Sequence, residues 1–112
     1  ALETLTEYRT FTHGEAIAIG MVAASNLAQL EGLLAPVDCQ RIVNLIRSAG
    51  LPVEIPAGFA VEQIMENLKH DKKIKNGRLT LVLLERIGQY CLRRDIPEED
   101  IKKVVAGLIK VN

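Results

Sequence analysis

The chain has 112 residues, 48% of them hydrophobic and 25% charged. That is the composition of one globular domain, large enough to bury roughly two thirds of its unfolded surface, and it excludes a disordered tail. Fourteen basic residues balance fourteen acidic ones, so there is no electrostatic footprint for nucleic acid or for an anionic membrane surface.

The first stretch, residues 1–11, is mixed and gives no clear element. It has no basic region leading into an apolar run, so it lacks a signal-peptide pattern. The opening Ala1-Leu2-Glu3, without an initiator Met, reads as sequence already inside a fold, and the chain is expected to be a fragment.

From Thr12 the pattern sharpens. Thr12 and Glu15 have capping-box spacing, in which the hydroxyl accepts from the amide three residues on and the carboxylate returns to the cap amide. A long helix is predicted from His13 to about Gly32. Ala16, Ile17, Ile19, Met21, Val22, Ala23 and Ala24 leave no polar face in its first half, which predicts burial all round. The second half reads as amphipathic, with Leu27, Ala28 and Leu30 inward and Gln29 and Glu31 outward. Gly14 and Gly20 cost helix stability, and close approach by another element is the expected compensation. Ser25 and Asn26 interrupt the apolar run too early for a membrane span.

Gly32 is expected to end this helix and Pro36 to begin the next. Val37, Ile42, Val43, Leu45 and Ile46 form the second helix's apolar stripe, and Gly50 its stop. Leu51 to Pro56 reads as a linker. Val61, Ile64, Met65 and Leu68 have the spacing of a third helix, running to about His70. His70-Asp71-Lys72-Lys73 follows, then a turn at Asn76-Gly77. Leu79 to Leu84 reads as a buried strand broken at Gly88, with Tyr90-Cys91-Leu92 pairing back as a hairpin. Pro97 opens a last helix whose Glu98, Glu99 and Asp100 complement its positive end and whose Ile101, Val104, Val105, Leu108 and Ile109 face inward. The expected architecture is mainly α, a multi-helix domain with one small β-hairpin.

Few residues offer chemistry. His13 sits in a first helical turn, where the helix dipole disfavours imidazolium; a neutral ring suits either a metal ion or a simple cap. Lys72 and Lys73 can grip an anionic group as point charges, or merely solvate a helix end. Glu15 is explained by capping. The two cysteines, Cys39 and Cys91, match no zinc or redox spacing and read as reduced core thiols of a cytoplasmic protein. Ser25 and Ser48 have no His–acid partner nearby in sequence, and there is no Gly-rich phosphate loop or dinucleotide fingerprint. A catalytic zinc takes three protein ligands, and the residues alone offer His13 with His70 as a poor second. Read from the residues, the site is incomplete.

The string His13-Gly14-Glu15-Ala16-Ile17-Ala18-Ile19-Gly20-Met21 closely resembles the HGEAVAIGM motif of dehydroquinate synthases. Asp71-Lys72-Lys73 resembles that family's DKK motif. Gly77-Arg78-Leu79, Val82-Leu83-Leu84 and Ile87-Gly88 follow in the family's order, and Gly50-Leu51-Pro52 lies where it has a GLP turn. The likeness runs from Ala1 to about Ile109. It implies that residues 1–112 are the helical C-terminal domain of a sugar-phosphate cyclase whose N-terminal half binds NAD. The implied reaction is cyclisation of a seven-carbon keto-acid sugar phosphate to dehydroquinate with phosphate release, in the shikimate pathway leading to aromatic amino acids. NAD is reduced and reoxidised within a turnover, and a zinc or cobalt ion polarises the reacting hydroxyl. His13 matches the family's metal-ligand His, and one of Lys72 and Lys73 a substrate-binding Lys. The family's other metal His and a further active-site His belong to a GHxxGHAxE-like stretch of which Ala1-Leu2-Glu3 resembles the end. The glutamate ligand and the NAD domain are likewise not in this chain, so the fragment is expected to be inactive alone and the complete enzyme a homodimer. A related inosose- or valiolone-type cyclase would share fold, metal and cofactor. A non-catalytic helical interaction module is the alternative from a different class.

Overall fold

A computed structural model of the chain describes residues 13–71, 74–75, 78–79 and 81–109. Among the described residues there are four helices: α1 (His13–Leu30), α2 (Pro36–Ser48), α3 (Val61–Asp71) and α4 (Glu98–Leu108). Between α3 and α4 lie the strands β1 (Ile74–Lys75), β2 (Arg78–Leu79), β3 (Leu81–Arg86) and β4 (Gln89–Arg93). The mainly α architecture matches the sequence pattern. No described helix is long and apolar enough to cross a membrane.

α1 is the hub, packed against α2, α4 and β3. Its Ala18, Val22 and Ser25 recur at helical spacing and are buried together with Ile19, Leu27 and Ala28. Ser25 tolerates burial because its hydroxyl donates to the Met21 carbonyl at 2.8 Å. The expectation that the first half of α1 is covered on every side does not hold. Gly14, Ile17, Gly20 and Met21 are exposed, Ile17 at 45% and Met21 at 46%. Hydropathy shows that no face of this segment is polar, but it cannot supply a fourth neighbour. Among the described residues, the packing of α2, α4 and β3 on α1 leaves one flank open. Likewise a Cβ built on Gly14 or Gly20 meets nothing within 4 Å, so the expected close approach is not made by the described residues. Leu30, expected inward, is also exposed, because the chain leaves the helix just after it.

Both predicted glycine stops are found, each with the same bonding. Gly32 adopts φ 78°, with its amide donating to Gln29 O at 3.1 Å and the Leu33 amide to Ala28 O at 2.9 Å. Gly50 adopts φ 80°, with Gly50 N–H donating to Arg47 O and Leu51 N–H to Ile46 O. These are paired Schellman bonds, which satisfy the last carbonyls and need a left-handed residue. The first of these turns folds the buried Leu34 back under α1.

α2 begins with Pro36 at its first turn and turns Cys39 and Ile46 into the core. Ile42 and Val43 are half-buried, whereas Val37 and Leu45 are 67% and 72% exposed and do not belong to the inward stripe. They lie on the flank facing away from α1. The Cys39 thiol donates to Asn26 Oδ1 at 3.3 Å, tying α2 to α1. Both cysteines are free; Cys39 is buried and Cys91 half-buried against the core.

The linker after α2 is anchored at Ile55, which is buried and makes a parallel bridge to Ile109, its amide donating to Leu108 O at 2.8 Å. α3 then packs on α4 through Ile64 and Met65. An ion pair of 3.8 Å between Glu62 and Lys102 lies on its exposed side.

β3 and β4 form the expected antiparallel hairpin, turning at Gly88 with φ 92° and bulged between Leu84 and Arg86. Leu81 pairs with Arg93 and Leu83 with Cys91; Leu83 is buried and lies on the face toward α1. Leu79, where the predicted strand begins, pairs opposite Ile74 in the short ladder of Ile74–Lys75 with Arg78–Leu79, and Thr80 lies outside the described residues. A ladder that short leaves no alternation for sequence to reveal. The Asn76-Gly77 turn lies outside the described residues.

α4 follows Pro97, which occupies the N-cap, and buries Ile101, Val105 and Leu108.

Candidate metal and substrate site

His13 is the first residue of α1. The backbone therefore places it at the helix end where the unpaired N–H groups gather. Its side chain lies outside what the structure describes. Glu15, two residues on, is half-buried in the same turn and is engaged in an interaction; Thr12, its expected capping partner, lies outside the described residues.

Lys72 and Lys73 also lie outside the described residues. Their position in the chain is nevertheless bounded tightly, between Asp71 at the end of α3 and Ile74 at the start of β1. His70 belongs to the last turn of α3, and its side chain is not among those described. The structure thus gives each predicted residue an element or a junction, and the side chains of His13, His70, Lys72 and Lys73 lie outside the described residues.

Among the described residues no group of three or more His, Cys, Asp or Glu is placed to hold a metal ion. Three protein ligands are the usual number for a catalytic zinc. The donor set of the described residues therefore does not by itself fit a catalytic metal.

One titratable cluster escaped the sequence. The Glu31 carboxyl is raised from its ordinary value, first by a hydrogen bond with the Asp100 side chain, then by desolvation and by the Asp100 charge. Arg93 opposes this by attraction, and is itself held to Asp95 by bonds of 2.8 and 2.9 Å. Burial pushes the Cys39 thiol up as well, which keeps it protonated. Glu31 and Asp100 are far apart in sequence and no local pattern announces their meeting at the ends of α1 and α4.

The fold is that of the sugar-phosphate cyclases. The chain is similar to 2-epi-5-epi-valiolone synthase from Streptomyces hygroscopicus subsp. jinggangensis 5008, solved with NAD+ and Zn2+, with a TM-score of 0.78 and 27% identity over 89% of this chain and 28% of that one. It is similar also to 2-deoxy-scyllo-inosose synthase complexed with carbaglucose-6-phosphate, NAD+ and Co2+, with a TM-score of 0.77 and 28% identity over 91% of this chain and 30% of that one. Within that class the chain belongs to the 3-dehydroquinate synthase C-terminal family, whose model matches residues 1–74.

That match takes in His13, Lys72 and Lys73. Among curated relatives, the 3-dehydroquinate synthase of Desulforamulus reducens is 42% identical over 95% of this chain and 30% of its own length. That of Acaryochloris marina is 40% identical over 97% of this chain and 29% of its own length. The chain spans about three tenths of the relatives it matches.

Proposed function

We propose that this chain works as the helical metal- and substrate-side portion of a 3-dehydroquinate synthase, a carbon–oxygen lyase. The complete enzyme converts 3-deoxy-D-arabino-heptulosonate 7-phosphate to 3-dehydroquinate with release of phosphate, in the cytoplasm and as a homodimer. The observation that carries this reading is the family match over residues 1–74, with the HGEAIAIGM string opening a helix at His13.

In this reading His13 supplies one ligand to a zinc or cobalt ion and one of Lys72 and Lys73 binds the anionic substrate. The remaining ligands and the NAD-binding half come from polypeptide outside these 112 residues, and the chain alone is inactive. The two structural neighbours, solved with NAD+ and with Zn2+ or Co2+, support the same cofactors here. They also raise a valiolone- or inosose-type substrate as a second reading. Dehydroquinate is favoured because identity to the dehydroquinate synthases is 42%, against 27% and 28% to those two cyclases.

The test is a chimera in which this chain replaces the matching stretch of the Desulforamulus reducens enzyme. It should bind metal and release phosphate from the heptulosonate substrate, while the isolated chain does neither. His13→Ala in the chimera should lose its metal and more than about a hundredfold of its activity together. Metal content and turnover unchanged in that variant would refute the assignment. Lys72→Ala and Lys73→Ala, made separately, should differ: one should weaken substrate binding by about tenfold or more through loss of a charge-assisted contact, and the other should leave it nearly unchanged.

A further inference from the structure

We draw no further inference here: the strongest candidate, the outward apolar patch of the β3–β4 hairpin where exposed Val82 stands opposite exposed Leu92 with Tyr90 on the same strand, carries none because nothing in the structure shows what covers it.

Discussion

The two halves of α1 differ in how much of their apolar surface is covered. The C-terminal half is covered up to its last turn. Leu27 and Ala28 are buried, Leu34 folds back beneath them, and the Asn26–Cys39 contact fixes the neighbouring helix. The N-terminal half carries the family motif and stays open along Gly14, Ile17, Gly20 and Met21. Both halves bury residues, Ala18 and Ile19 in the first and Leu27 and Ala28 in the second, and the first also presents an uncharged flank at the helix end where His13 sits. Residues of similar hydrophobicity therefore differ in what they do for stability according to the face of the helix they occupy, as buried Ile19 and half-exposed Met21 do within one half.

The contrast is sharpest when equivalent truncations are compared. Leu27→Ala should cost about 2–5 kcal/mol in denaturant unfolding of the chain, because it removes a buried side chain from a closed site. Met21→Ala should change stability by no more than about 0.5 kcal/mol in the same measurement, since its side chain is nearly half exposed. Equal losses for the two variants would break the distinction.

Glycine gives the next largest difference. Gly32→Ala should destabilise by about 1–2 kcal/mol, since an alanine resists φ 78° and the paired terminal bonds depend on that conformation. Gly20→Ala should stabilise the isolated chain by up to about 1 kcal/mol: the residue is helical and its added methyl meets nothing within 4 Å. In the chimera that gain should shrink if the rest of the enzyme packs on this flank. Thermal melts of both variants in both settings measure it.

The smallest effect is electrostatic. The folded carboxyl of Glu31 is raised, so the folded state binds its proton more tightly than the unfolded state does. The associated stability is present below the ordinary carboxylate pKa and is lost as pH rises through the raised value. Glu31→Gln should therefore gain a few tenths of a kcal/mol over the parent at pH 7 relative to pH 4, a small amount because the pair is only partly shielded from solvent. Stability curves for the two proteins that stay parallel across that range would contradict the pairing with Asp100.

Helix ends were the most legible part of the sequence. Gly32, Gly50, Pro36 and Pro97 each act through their own backbone, so their effect needs no knowledge of neighbours. The hairpin was legible for the same reason at Gly88. What failed depended on contacts with other elements. Ile17, Met21, Val37 and Leu45 are apolar by composition, but their exposure is decided by how many elements surround each helix. Of the proposed site, His13 and the Lys72-Lys73 pair were singled out by their motif strings, and their side chains lie outside the described residues. Spacing alone left both as ordinary helix-end residues, since a metal site draws donors from separate parts of a chain and no local period records that.

The bridge between Ile55 and Ile109 joins the α2–α3 crossover to the last turn of α4. Because the Ile55 amide bonds to a carbonyl at that helix end, the crossover cannot peel away without disturbing the terminal turn. The two distant stretches of chain therefore share a backbone bond, so opening of either exposes a polar group of the other to solvent.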